Sequence, residues 1–150
     1  IFRVGLMYGP GTLKSDQRVL QDFIFKANNN KLINLLDSGE SIRNYIYLTD
    51  GLEIVLNIAL NSSTNEIVYN VGGEFEPISI YELALKIGNI LNCPVLKLDN
   101  NSNDMYKNSP KNVCLSMEKY KKEFKNYGDK FINLDKGLLN VIKWYKFIKE

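Results

Sequence analysis

Arg3-Val4-Gly5-Leu6-Met7-Tyr8-Gly9-Pro10-Gly11 decides how the rest of the chain is read. An apolar, β-prone run breaks abruptly into Gly-Pro-Gly, the chemistry of a strand that stops at a ligand cleft. Proline fixes φ, and the flanking glycines let backbone N–H groups approach a ligand with no Cβ in the way. The pattern predicts a strand over residues 1–8, buried on both faces. The chain therefore opens inside a strand, with no initiator Met.

Hydrophobic periodicity places the other elements. A helix is predicted over 16–27, with Val19, Leu20, Phe23, Ile24 and Ala27 at helical spacing and Asn28-Asn29-Asn30 ending it. Strands are predicted at 32–36 and 44–48, with a turn at Asp37-Ser38-Gly39 between them. Thr49 or Asp50 is expected to cap a helix whose Leu52, Val55, Leu56, Ala59 and Leu60 make one apolar face. Residues 66–71 read as a strand ending in Gly72-Gly73, and Ser79-Ile80-Tyr81-Glu82 as a capping box opening a helix to Leu91. A strand is predicted over 94–98, and the polar stretch 100–104 is expected to be mobile. Residues 113–115 are extended, Ser116 caps a helix to Phe124, and a last helix over 134–148 buries Leu138, Val141, Ile142 and Tyr145. No repeat appears and no linker is long enough to split the chain, so one α/β unit with short strands is expected.

Composition narrows the function classes. At 150 residues and 17.2 kDa the chain has room for a single core. Hydrophobic residues at 45% and charged residues at 24% are ordinary globular values, which excludes disorder as the default. The net charge of +2 arises from bases interleaved with acids and argues neither for nor against nucleic acid. Lys119-Tyr120-Lys121-Lys122 with Lys125 reads as a solvated helix face, because no aromatic platform accompanies the lysines; no nucleic-acid partner is expected. Cys93 and Cys114 lie far apart with no metal spacing, which suits reduced thiols in the cytoplasm. No apolar run approaches the roughly 20 residues of a membrane span, so no membrane partner is expected. The absence of His removes the commonest general base and zinc ligand, so no metal site is expected. Any chemistry must use other groups, or groups outside this chain.

Five landmarks, in order, resemble the extended short-chain dehydrogenase/reductases of the NAD-dependent epimerase/dehydratase family, which act on nucleotide sugars. Arg3…Tyr8-Gly9-Pro10 is similar to the family's Arg-x-x-Asn-x-Tyr-Gly-Pro, and Asp16-Gln17-Arg18-Val19…Phe23 to Asp-Gly-Arg-Val…Phe. Gly39…Arg43-Asn44-Tyr45-Ile46-Tyr47-Leu48-Thr49-Asp50 resembles the Gly…Arg-Asp-(Tyr/Phe)-Ile-x-Val-x-Asp element. Tyr69-Asn70-Val71-Gly72…Ser79-Ile80-Tyr81-Glu82-Leu83-Ala84 and Leu134-Asp135-Lys136-Gly137-Leu138…Trp144-Tyr145 resemble its later segments. The resemblance implies an α/β fold: the C-terminal part of a Rossmann-like enzyme, with its small substrate-binding α/β subdomain, over residues 1–150. The family's Gly-x-x-Gly-x-x-Gly turn does not occur here, and the spacing of its Tyr-x-x-x-Lys catalytic pair occurs only at Tyr145 and Lys149, at the end of the last predicted helix. In the family both precede this region, so no catalytic residue is expected in the chain.

The residues present carry binding chemistry. Arg43 follows a Gly turn and precedes a strand, and a guanidinium engages diphosphate oxygens in a planar bidentate pair. The resemblance implies contact with the nucleotide diphosphate; the plain alternative is an ion pair with Asp37 or Glu40. Arg18, in the first helical turn, opposes the helix dipole, so it needs a phosphate or an acid such as Asp16. The resemblance implies that Arg18 lies near the cofactor or the sugar nucleotide. It also implies that Tyr8, Gly9, Pro10 and Gly11 wall the cofactor site, NAD or NADP. Leu20, Phe23, Asn34 and Leu35 would flank base and ribose, mostly through backbone groups, although periodicity makes Phe23 a core residue.

Lys111 falls near the family's second phosphate-binding Arg, and Leu6 replaces its usual Asn, so a polar substrate contact is lost there. Tyr45, Tyr47 and Tyr81 lack a Lys at the required spacing and read as packing residues. The expected function is the nucleotide-sugar-binding portion of an epimerase, dehydratase, decarboxylase or reductase, inert by itself and a homodimer when complete. The alternative is a non-catalytic binding or regulatory module of the same fold. By family analogy the setting is bacterial surface-polysaccharide synthesis.

Overall fold

The computed structural model describes residues 1–13, 16–63, 65, 68–73, 77–97, 110–125 and 131–147. In chain order the elements are β1 (Phe2–Val4), β2 (Leu6–Tyr8), α1 (Val19–Asn30), β3 (Ile33–Asn34), β4 (Ile42–Arg43), β5 (Tyr45–Tyr47) and α2 (Leu48–Asn61). They continue as β6 (Tyr69–Val71), β7 (Ile78–Ser79), α3 (Ile80–Leu91), β8 (Val95–Leu96), β9 (Asn112–Val113), α4 (Glu118–Glu123) and α5 (Leu134–Phe147). The expectation of one α/β unit is corrected to two interleaved units. Unit 1 comprises Ile1–Pro10, Asn44–Pro77 and Cys114–Glu150, and unit 2 comprises Gly11–Arg43 and Ile78–Val113. The chain crosses between them at several unremarkable positions, so no linker marks the boundary in the sequence.

In unit 1, β1 pairs with β6 and β2 with β5, both parallel. The single strand expected over 1–8 is broken at Gly5, whose N–H donates to the Val71 carbonyl at 2.8 Å. At that point the segment exchanges one neighbour for another. Burial on both faces is also overturned: Phe2, Arg3 and Val4 are exposed. The core joins Ile46, Ile54, Ile58, Tyr69, Val71, Met117 and Tyr120.

Helix α2 starts at Leu48 after an N-cap Tyr47, not at a Thr49 or Asp50 cap. The Asp50 carboxylate is instead occupied by the Ile132 N–H at 2.8 Å and the Thr49 hydroxyl at 3.2 Å. Its buried face is Gly51, Ile54 and Ile58, whereas Leu52, Leu56 and Leu60 of the expected apolar face are exposed. Ile54 and Ile58 join the unit 1 core, and Gly51 packs against the Met7 side chain. Helix α4 is shorter than expected and begins after Met117; the Ser116 hydroxyl accepts from the Glu118 N–H only at 3.4 Å. Helix α5 buries Leu138, Val141, Ile142 and Tyr145, as its periodicity predicts.

In unit 2, β3 pairs with β8 in parallel, and β4 lies between antiparallel β7 and parallel β9. Helix α1 starts three residues later than expected and retains its asparagines. The Asn28 and Asn29 amides donate back to the carbonyls of Ile24 and Phe25, and left-handed Lys31 (φ 55°) ends the helix. Leu20, Phe23, Ile24 and Ala27 are buried while Val19 is exposed. Helix α3 opens on the expected capping box: Ser79 Oγ accepts from the Glu82 N–H at 3.1 Å, and Glu82 Oε2 accepts from the Ser79 N–H at 2.9 Å. The expected strand residues Glu66, Ile67 and Leu98, the stretch 100–104 and Ile148 lie outside the described residues.

Candidate functional site

The strand end at Tyr8 is built by packing. Tyr8 is buried, and its ring meets Tyr45 and Tyr47 edge-on at 6.1 and 5.5 Å. Its hydroxyl points to the Leu134 carbonyl at 3.5 Å. Burial first, then neighbouring Tyr47, Asp50 and Asp135, push the phenol well above its ordinary range. Tyr8 thus stays protonated and neutral at neutral pH and acts as a packing group. Gly9 is buried, with a Cβ position only 2.7 Å from Leu48 Cβ, and Pro10 is half-buried. Gly11, which belongs to unit 2, has φ +95° and nothing within 4 Å of a Cβ, so its backbone is bare on that side. None of these residues carries a charge.

Arg43 lies within β4, where a position before the strand was expected. It is half-buried, and its Nη1 donates to the carbonyls of Ile42 at 2.8 Å and Lys111 at 3.3 Å. Among the described residues no carboxylate pairs with it; Asp37 instead accepts the Gly39 N–H at 2.8 Å. Its positive charge is therefore held by dipoles alone. Lys111 is exposed at the start of β9, and its carbonyl also accepts the Ile42 N–H at 2.7 Å. The three-stranded sheet thus brings Arg43 and Lys111 together in unit 2.

Arg18 occupies the N-cap position of α1 and forms a two-point pair with Asp16, its Nε lying 2.9 Å from Oδ2. That bond chiefly holds the Asp16 carboxyl below its usual range. The side chains of Leu20, Phe23 and Leu35 are buried, which leaves only their backbone for a ligand. Asn34 is exposed on β3, opposite Leu96. Of the expected site residues, Tyr8, Gly9 and Pro10 fall in unit 1, while Gly11, Arg18, Leu20, Phe23, Asn34, Leu35, Arg43 and Lys111 fall in unit 2.

Three residues have roles that periodicity could not assign. Asn44 is buried, its amide donating to the Gly73 carbonyl at 2.7 Å and accepting the Gly73 N–H at 3.0 Å. It thereby serves as one extra rung between two strand ends. Asp50 secures the approach to α5, and Gly137 accommodates Tyr8. The only signal for them was their place inside the family landmarks. The lysine cluster is not wholly solvated either: Lys119 Nζ donates to the Val68 carbonyl at 2.7 Å and lies 3.7 Å from the Tyr69 ring centre. Among the described residues no group of three His, Cys, Asp or Glu could hold a metal, and no helix is long and apolar enough to cross a membrane.

The sequence pattern of the NAD dependent epimerase/dehydratase family matches residues 1–72. The dTDP-D-glucose 4,6-dehydratase of Dictyostelium discoideum is 34% identical over 90 residues, covering 60% of this chain and 20% of that protein. Over residues 1–72 the chain is similar to the NAD-dependent epimerase/dehydratase family. Solved structures agree on the fold. The Bordetella bronchiseptica enzyme WbmF, crystallised with NADH, matches with a TM-score of 0.75 at 27% identity, over 97% of this chain and 45% of its own. The UDP-glucose 4-epimerase of Thermotoga maritima, crystallised with UDP-glucose, matches with a TM-score of 0.78 at 20% identity, over 99% of this chain and 46% of its own. The chain thus spans less than half the length of these epimerase/dehydratase relatives and has part of their Rossmann-like α/β fold. An NAD-type cofactor belongs to the family.

Proposed function

We propose that this chain is the nucleotide-sugar-binding portion of an NAD- or NADP-dependent enzyme that epimerises, dehydrates, decarboxylates or reduces a nucleoside-diphosphate sugar. The observation that carries the reading is Arg43. A half-buried guanidinium satisfied by carbonyl dipoles, with no carboxylate beside it among the described residues, keeps its full charge for an anion. Lys111, immediately before the neighbouring strand β9, adds a second cation suited to a diphosphate. The bare backbone at Gly11 supports a second role in the dinucleotide site. When bound, the cofactor supplies a hydride acceptor and donor. The Tyr and Lys that move protons come from a part of the protein outside this chain, so residues 1–150 are inert alone.

In the intact protein, UDP-glucose or dTDP-glucose is expected to raise the unfolding temperature, and Arg43→Ala to weaken binding about 10- to 100-fold by calorimetry. That range corresponds to losing a charge-assisted contact of about 1.5–3 kcal/mol. Wild-type affinity in Arg43→Ala removes Arg43 from the site. Tight binding of both ligands by an intact protein that never turns over would favour a non-catalytic module of the same fold.

A further inference from the structure

The three residues at the end of β2 are each matched to a position where a Cβ has no room. A Cβ on Gly51 of α2 would collide with Met7 Cε. One on Gly137 of α5 would overlap the Tyr8 hydroxyl and lie 2.8 Å from Cζ. One on Gly9 would lie 2.7 Å from Leu48 Cβ. Tyr8 cannot answer such a collision by rotating away. It is 7% exposed, and the Tyr45 and Tyr47 rings stand edge-on to it. A phenol ring is stiff from Cβ to hydroxyl, so pressure on the hydroxyl is delivered to the strand backbone.

Helix α5 is itself fixed from unit 1. The Gly137 N–H donates to the Asn133 carbonyl at 2.9 Å, the Lys136 N–H to Asn133 Oδ1 at 2.9 Å, and the Ile132 N–H to Asp50 at 2.8 Å. The seat for Tyr8 is therefore defined before any ligand arrives.

We infer that Gly137 is a positioning residue: α5, 126 residues along the chain from the hydroxyl it receives, sets the place of Tyr8-Gly9-Pro10 through the Tyr8 phenol. This rests on the reading that Tyr8-Gly9-Pro10 walls the dinucleotide site. It adds that the last helix, which touches no reacting atom, governs cofactor affinity. Sugar-nucleotide affinity, carried by Arg43, is a separate quantity.

The test titrates the intact protein with NAD, and separately with UDP-glucose, while following thermal unfolding. Gly137→Ala is expected to weaken NAD about tenfold and leave UDP-glucose binding within about twofold, a split that mere loss of stability would not produce. Adding Tyr8→Phe removes the overlapping atom and is expected to restore part of the NAD affinity. If Gly137→Ala does not fold, Tyr8→Leu/Gly137→Ala replaces it. With the clash gone and the phenol absent, that variant is expected to fold, bind UDP-glucose normally and bind NAD weakly. Wild-type NAD affinity in these variants, or an equal loss of both ligands, overturns the inference. A wild-type protein that binds UDP-glucose but never NAD overturns instead the reading beneath it.

Discussion

Two glycine-bearing bends of this molecule are held in opposite ways. In unit 2, the bend at Asp37-Ser38-Gly39 is made mainly by its neighbours in sequence. Gly39 adopts φ +68°, a conformation open to glycine at little cost, and its N–H is taken by Asp37 at 2.8 Å. The carbonyls of Gly39 and Ser41 then accept the first free N–H groups of α3, from Tyr81 and Ile80, each at 3.0 Å. In unit 1, the end of β6 at Gly72-Gly73 is made by residues far away. Gly73 has an ordinary backbone, but its missing side chain lets the Tyr45 carbonyl lie against it, while Asn44 bonds both of its backbone groups. One bend takes its backbone conformation from local chemistry and is then packed against Tyr81; the other rests on distant residues.

The hardest blow to that contrast is Gly73→Ala. The colliding atom is the backbone carbonyl of Tyr45, with the carbonyl carbon at 2.8 Å, and a strand has no rotamer by which to yield. A loss of about 3 kcal/mol or more is expected in urea unfolding, a large share of the total stability of such a domain. A loss under about 1 kcal/mol would mean that the β5 and β6 ends are loosely joined, and the distinction between the two bends would fall.

The same contrast explains what could be read beforehand. The capping box at Ser79 and Glu82, the Asp37 turn and the buried face of α5 all follow from local spacing, and all were legible. The inward face of α2 was not, because Leu52, Leu56 and Leu60 give as good a stripe as Gly51, Ile54 and Ile58. What separates them is packing against other elements, through Ile46, Tyr69, Val71, Met117 and Tyr120. The break at Gly5 and the split into two units failed for the same reason, since both depend on which strand neighbours which. At the candidate site, Arg43 was legible as a cation at a rim, but its carbonyl partners were not. Asn44, Asp50 and Gly137 act on residues between 29 and 129 positions away, out of reach of any window of sequence.

Ser79→Ala probes the local side. Removing the hydroxyl frees the Glu82 N–H, a loss of about 1 kcal/mol. Because the two halves of the box support each other, adding Glu82→Ala should cost less than it does alone. Full additivity in a double-mutant cycle would show that the motif acts as two independent caps, and that its legibility in the sequence was a coincidence of spacing.

The smallest effect tests whether distant control needs steric contact at all. Glu123, the last residue of α4, accepts the Tyr69 hydroxyl at 2.6 Å, the Ser62 hydroxyl at 2.8 Å and the Ser63 N–H at 3.0 Å. The Tyr69 bond chiefly, with those from Ser62 and Ser63 and the charge of Lys119, holds its carboxyl below the ordinary value of 4.5. A carboxyl lowered on folding stabilises the protein above its unfolded value, and that contribution disappears as pH falls through the folded value. The stability difference between wild type and Glu123→Gln should therefore be constant at neutral pH, begin to shrink near pH 4.5 and vanish below the lowered folded value. It should also shrink in high salt, because the group is exposed. A difference independent of pH would mean that the charge of Glu123 contributes nothing to joining α4 to the end of α2.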